Sequence, residues 1–398
     1  MVIVPRLISL LILCLVLMLS GCAGPGGLIL FIRDSIRRHL LRQMVHGLSV
    51  MIGLSPGVFP FGAIEGSMPN LPFVLVHPAD KYGCGNYRVR WPLDVLMRAG
   101  LAQGVESPYL LDAVTLSDIS SDVVVFQRLI EEDQIARLKS YRQESGAFLV
   151  FEIDDLITNI PPDNRFARLF PKQTLDRLKR AIAYCDRLVV STPALAAAYG
   201  PYAREVVVCP NSLPNVPWAG LTGHLRHADK PRVGWAGSTG HLGDLKLLIP
   251  VVKATHHLVD WVFLGALPNV LRRYAAEVHQ PVPIEDYPAK LASLDLDLAV
   301  APLQVHPYND AKSNLRLLEL GAMGYPVICS AGVGAFYCDL PVTRVENRPD
   351  AWIAAIVAAI ADRDALAGQS VALRQAIHDQ WLMDGRAASW ASAWGLSR

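Results

Sequence analysis

From Pro72 onward, short runs of continuously apolar residues alternate with longer stretches in which apolar residues recur every three or four positions. Phe73 to His77, Asp122 to Gln127, Phe148 to Ile153, Arg187 to Ser191 and Glu205 to Cys209 are strand-length runs. Between them fall helical patterns, such as Pro92 to Ala99 and Gln127 to Glu144. Unbroken apolarity over strand length means burial on both faces, which a parallel sheet covered by helices provides. A polar stretch, Ser212 to Pro231, then separates a second series: Arg232 to Ala236, Trp261 to Gly265, Leu296 to Pro302, Pro326 to Ser330 and Val342 to Val345. The pattern predicts two α/β domains, 72–215 and 225–378, followed by a Trp- and Ala-rich terminal segment, 379–398. In parallel sheets of this kind ligands bind beyond the carboxyl ends of the strands, so the loops there are the ones to read.

The N-terminal stretch follows a different pattern. Leu7 to Leu19 is almost wholly apolar behind Arg6, and ends in Leu19-Ser20-Gly21-Cys22, which resembles the lipobox of exported lipoproteins. Residues 1–31 thus read as a membrane or signal-like segment. In 32–71, Ile32, Ile36, Leu40, Met44 and Leu48 recur at helical spacing, with Arg33, Arg37, Arg38 and Arg42 on other faces. That is a basic amphipathic helix suited to an anionic membrane surface, with a Gly/Pro-bearing connector from Met51 to Pro72. Four arginines after the apolar run against one before it favour retention on the cytoplasmic face of a bacterial-type inner membrane. Lipoprotein export through Cys22, and a true start elsewhere, are the competing readings.

Composition narrows the function. The chain has 398 residues and a formal net charge of +1, so no global field exists to hold nucleic acid, and none is expected as a partner. The seven cysteines lack CxxC spacing, which points to free thiols rather than a disulfide framework or zinc site.

Four loops carry candidate chemistry. After the first strand, Gly83 and Gly85 permit a tight turn, and Arg88 lies near the next helix start, where an anion is favoured; an ordinary loop with a surface arginine has equal standing. Glu152-Ile153-Asp154-Asp155 closes the 148–153 strand. Carboxylates there are costly unless solvated, paired or used. Alternation points Glu152 and Asp154 to one side; Asp154 and Asp155 read as cleft groups that bind hydroxyls or act as a base, against a capping and ion-pairing role. No further cluster follows at ligand spacing, so no metal site is expected. In the second domain, Gly237-Ser238-Thr239-Gly240-His241 follows a strand and offers backbone N–H groups and hydroxyls to a phosphate. It matches neither G-x-G-x-x-G nor the P-loop. Last, Lys312-Ser313-Asn314 precedes a helix with apolar face Leu317, Leu320 and Ala322, ended by Gly324 and followed by Pro326. Ser313 or Asn314 caps it. Lys312 and the positive helix end suit a diphosphate, and Glu319, two turns in, suits ribose hydroxyls; a solvated face is the plainer reading of a lone glutamate.

Three segments together resemble the GT-B glycosyltransferases, in particular the retaining group 1 or family 4 hexosyltransferases: Leu318-Glu319 through Pro326-Val327; Ala183 to Thr192 with Val206 to Asn211; and Arg232 to Gly237. The resemblance implies two Rossmann-like domains facing across a cleft, an acceptor domain first and a nucleotide-sugar domain second. It implies ribose binding by Glu319, and a C-terminal helix, here Trp381 to Trp394, crossing back onto the first domain. The sequence departs where the family carries a second glutamate eight residues before Glu319; here that position is Ala311. The family's basic residues after the first donor-domain strand are replaced by Ser238, Thr239 and His241.

The implied activity is transfer of a sugar from a nucleotide-sugar donor to a glycan or lipid-linked acceptor in cell-envelope polysaccharide assembly, with no metal or other cofactor. With the loop readings above, Gly237, Ser238, Thr239, His241, Lys312, Ser313, Asn314 and Glu319 go to the donor, Gly83, Gly85 and Arg88 to the acceptor side, and Asp154 and Asp155 stand as catalytic candidates. The rival readings are a two-domain binding lipoprotein anchored at Cys22, a nucleotide-sugar 2-epimerase of the same fold, and an inactive paralogue.

Overall fold

The computed structural model describes residues 71–223 and 230–396. The apolar and basic N-terminal segments expected over 1–70 lie outside the described residues. Among the described residues no helix is long and apolar enough to cross a membrane.

The first domain is a six-stranded parallel sheet in the order β2-β1-β3-β4-β5-β6, with β1 Phe73–His77, β2 Gln103–Glu106, β3 Val123–Gln127, β4 Phe148–Ile153, β5 Arg187–Val190 and β6 Val206–Val208. Val125 pairs with Val76 on one side and Val150 on the other, and these residues face one apolar layer, while Leu75, Val124, Phe126 and Phe151 face the opposite one. Helices Trp91–Arg98 (α1), Glu132–Glu144 (α2) and Thr174–Tyr184 (α3) cover these faces. Alternate residues of β1, β3, β4 and β5 are thus buried on alternate faces, which is why those runs read as continuous; the edge strand β6 is as apolar, but its Val206 and Val208 are exposed.

Two details differ from the sequence pattern. Helix α2 begins at Glu132, not at Gln127, because Arg128 takes a left-handed conformation (φ 50°) that ends the strand abruptly. Gln134 then accepts from the Ile130 and Glu131 amides, closing a capping box. Strands β2 and β9 (Glu277–His279) are outer strands of half-buried, partly polar residues, and carry no apolar run.

The second sheet has the order β12-β11-β10-β7-β8-β9, also parallel, with β7 Arg232–Gly237, β8 Asp260–Gly265, β10 Leu298–Ala301, β11 Val327–Ser330 and β12 Thr343–Val345. It is packed by helices Leu248–Thr255 (α4), Leu315–Ala322 (α5), Pro349–Ala361 (α6) and Arg363–Gln380 (α7). The strand order reverses between β7 and β10, as it does between β1 and β3 in the first sheet. Crevices open at the carboxyl ends of such switch points.

After α7 the chain returns to the first domain. Leu213 N donates to Trp381 O and Met383 N to Leu213 O, at 2.9 and 2.8 Å. Helix Ala387–Ala393 (α8) then packs on α1, and Trp390 and Trp394 are wholly buried in the layer holding Val74 and Val125.

Candidate functional site

A cavity of about 860 Å³ lies between the carboxyl ends of the two sheets, lined from the first domain by Tyr82, Gly83, Tyr87 and Asp154 and from the second by Gly237, Ser238, His241, Arg316 and Glu319. A smaller cavity of about 160 Å³ adjoins it, lined by Asp154, Asp155, His241, Lys312, Ser313 and Arg316. The two cations come from one helix and the turn before it. Arg316 lies on the first turn of α5 and Glu319 on the next, so i, i+3 spacing puts them on one face, while Lys312 enters the same cleft from the turn before the helix.

Each member is held by definite partners. Glu319 is buried; Oε1 accepts from Tyr87 Oη at 2.8 Å, and Oε2 accepts from Tyr287 Oη at 3.2 Å and pairs with Arg316 at 3.3 Å. Lys312 Nζ donates to Asp155 Oδ1 at 2.9 Å and to Tyr308 Oη at 3.3 Å. Burial opposes the ammonium charge, but Asp155 and Tyr308 outweigh it and hold Lys312 above its ordinary value. Gly237 has no side chain to give up here: a Cβ would stand 2.7 Å from the Trp235 ring and 3.1 Å from an Arg316 guanidinium nitrogen. The absent side chain lets that guanidinium lie over the end of β7.

On the first-domain side, Asp154 Oδ1 is closed off from solvent with no hydrogen-bond partner. Burial, and then the neighbouring Asp155 charge, raise its carboxyl to about 6, against the pull of Arg128, Arg88 and Lys312. Asp154 as a whole is half-buried and lines both cavities, which places its carboxyl at the cleft wall.

Neither a protein-family model nor a curated protein sequence matches the chain. Solved structures do. HepE of Anabaena, in complex with UDP and glucose, aligns with a TM-score of 0.58 and 11% identity over 81% of this chain and 98% of its own. A glycosyltransferase from Rickettsia africae aligns at 0.56 and 13% over 81% and 99%. OtsA aligns at 0.58 and 11% over 82% and 99%. The chain has the GT-B fold.

Within that fold the candidate residues divide. Gly237, Ser238, His241, Lys312, Ser313 and Glu319 converge on the two cavities, with Asp154 and Asp155 opposite. Four others, Arg88, Thr239, Asn314 and Gly85, do not. Arg88 is no loop residue: it lies in a π-helical turn, Asn86–Arg90, and is wholly buried. Its guanidinium donates to both Glu152 carboxylate oxygens (2.7 and 3.2 Å), to Cys209 O (2.7 Å) and to Asn211 Oδ1 (2.9 Å), and lies over the Trp390 ring. Four of its five N–H donors are used inside the fold and it is wholly buried, so it does not reach the cleft, and Glu152 is spent on it. Thr239 turns toward the first domain and accepts from Arg165 at 3.1 Å. Asn314 occupies the N-cap position of α5 without a side-chain bond and lines neither cavity, whereas Ser313 Oγ accepts from Leu315 N and from Asn211 Nδ2 at 2.7 Å. The two loop glycines also differ. A Cβ at Gly85 would meet Asp80 O at 1.9 Å, while Gly83 has open space.

The residues that the sequence reading passed over are Arg316, Tyr287, Tyr87 and Asp244. Arg316 was within reach, being i+4 from Lys312. The tyrosines were not, since they arrive from 232 and 32 positions away.

Proposed function

We propose that this GT-B chain transfers a hexosyl unit from a nucleotide sugar to a hydroxyl of a glycan or lipid-linked acceptor. The observation that carries the reading is the convergence of Arg316, Lys312 and His241 with Glu319 at the switch point of the second sheet, opposite an unpaired Asp154. Departure of a nucleoside diphosphate leaves charge on its phosphates and builds positive charge at the sugar; preorganised cations and dipoles stabilise the first. Arg316, Lys312 and His241, with Ser238 and the Gly237 backbone, would hold the diphosphate, and Glu319 the ribose. Asp154 would take the acceptor hydroxyl's hydrogen bond and proton. Asp155, through its pair with Lys312, would position that cation. Side chains carry the charge in this scheme, and no resident metal is required. The UDP and UDP-glucose bound by HepE make UDP sugars the first donors to try.

The four arginines that follow the apolar N-terminal run support a place on the cytoplasmic face of a membrane, where nucleotide sugars meet lipid-linked acceptors in envelope polysaccharide assembly. The deciding experiment follows nucleoside diphosphate release from UDP-, ADP- and GDP-sugars with the wild type and with Glu319→Ala and Lys312→Ala. Turnover lost in both variants supports the site; unchanged turnover in both removes it. Epimerised donor without acceptor would select the epimerase reading instead.

A further inference from the structure

His241 and Asp244 form a pair just beyond β7. Asp244 Oδ2 and His241 Nδ1 are 2.9 Å apart. The other carboxylate oxygen, Oδ1, accepts from Gln304 N at 2.8 Å and from Asn309 Nδ2 at 3.0 Å. Asn309 is itself fixed by donating to Gln304 O at 3.0 Å. Two N–H donors on Oδ1 orient the carboxylate, and Oδ2 then accepts from the ring, which puts the imidazole proton on Nδ1 and leaves the lone pair on Nε2. The ring lines both cavities, so Nε2 is the nitrogen available to a ligand.

The charged surroundings are mixed. Lys312 and Arg316 approach from the α5 side, Asp154 and Asp155 from the end of β4, and Glu319 from the second turn of α5. Trp235 of β7 meets the ring edge-on at 6.4 Å and adds no charge. Outside the cavity, Asp163 is taken up by Lys246, and Arg165 by Thr239. Burial lowers the proton affinity of His241; the Asp244 hydrogen bond opposes this, and Lys312 and Arg316 add to the lowering.

We propose that His241 is the proton carrier of the donor site: neutral before the donor binds, it takes one proton from solvent as a diphosphate enters and presents Nε2–H to a phosphate oxygen, with Asp244 as its positioning residue. The inference rests on the diphosphate reading of this cleft. Bound phosphates offset the Lys312 and Arg316 charges and stand against Nε2, so the imidazole binds its proton more tightly in the complex. The sign follows. A proton held more tightly in the complex strengthens donor binding below the free imidazole's value, and that gain is lost as pH rises through the complex's value. On release the proton returns to solvent, so the Nε2–H bond formed on binding is the one bond that breaks.

The test is calorimetry on the full chain with UDP-glucose, ADP-glucose and GDP-mannose, whose esterified diphosphates do not titrate between about pH 6 and 9. Titrations in two buffers of different ionisation enthalpy count the protons taken up. The wild type should take up close to one proton with the donor, and its affinity should fall on the order of a hundredfold over that range, each unit of proton affinity being one decade. His241→Gln keeps an N–H donor that does not titrate; compared in an Asp154→Asn background, which removes the other carboxyl near 6 from these cavities, it should bind without uptake and with flat pH dependence. Asp244→Asn should reduce the uptake. Wild-type binding without uptake, or equal uptake on adding His241→Gln to that background, overturns the proposal and leaves the donor site standing. Failure of all three donors to bind the wild type overturns both.

Discussion

Asp154 is the residue whose surroundings make the sharpest demand. Its carboxyl is held near pH 6 by burial and the Asp155 charge, and one oxygen has no donor. As the proposed base it must be ionised, so kcat/KM should rise with pH and level off above about 6, with Asp154→Asn costing roughly 10²- to 10⁴-fold in turnover. The same shift has a stability sign. An acid whose folded value lies above its unfolded value binds more protons folded, so its ionisation destabilises the protein as pH rises from 3.8 toward 6. Asp154→Asn should therefore raise the Tm at pH 7 while lowering turnover by that factor, and the gain should vanish near pH 4. A variant both less stable at pH 7 and inactive would mark a structural role. Lys312 and Arg316 bear on the same chemistry from the other wall. If they carry the diphosphate charge, a chelator should leave turnover unchanged, while Arg316→Ala lowers kcat/KM by at least tenfold; sensitivity to chelation would return that task to a metal ion.

At the scale of elements, the ion pair between the π-helical turn and β4 is the most committed feature. Arg88 and Glu152 are both wholly buried, and the guanidinium also satisfies Cys209 O and Asn211. Removing one partner leaves an uncompensated buried charge, so Arg88→Met should cost about 3–5 kcal/mol. The double variant Arg88→Met, Glu152→Leu should recover most of that loss in denaturant unfolding; no recovery would mean that the Cys209 and Asn211 contacts dominate. This pair also shows what a sequence can and cannot disclose. The strands with both faces buried, such as Val123–Gln127 and Trp261 within β8, were legible because burial on two sides writes a continuous apolar run. Strands β2 and β9, half-exposed at the outside of their neighbours, write none. The α5 site was legible because Lys312 stands just before the helix start and Glu319 lies two turns into it. Arg88 was misread because its partners lie 64 to 123 positions away, and a buried arginine looks like a surface one until its carboxylate is found. His241 gave a loop position but not Asp244's role, which depends on Gln304 and Asn309 arriving from beyond β10.

At the scale of the whole molecule, the two domains are tied together by the residues proposed to hold the donor. Lys312 pairs with Asp155, Ser313 accepts from Asn211, and Glu319 accepts from Tyr87. Thr192 Oγ1 adds a bond to Ala311 O at 2.8 Å. A donor entering the cleft must therefore exchange ties between the domains for contacts with itself, and its affinity is a difference between the two sets. Tyr87 isolates one term. It belongs to the first domain but is buried among second-domain residues, its ring edge-on to Trp91 at 4.5 Å, and its hydroxyl occupies the Glu319 oxygen that ribose would use. Tyr87→Phe keeps the ring and removes only the hydroxyl. Removing that competitor should return about 1 kcal/mol to a ribose hydroxyl, so the donor KM should fall severalfold. The scattering-derived radius of the free protein should stay the same or grow, since one tie is gone. A raised donor KM in Tyr87→Phe would mean instead that the tyrosine hydroxyl is itself a donor contact, and that Glu319 is already arranged as the complex needs it.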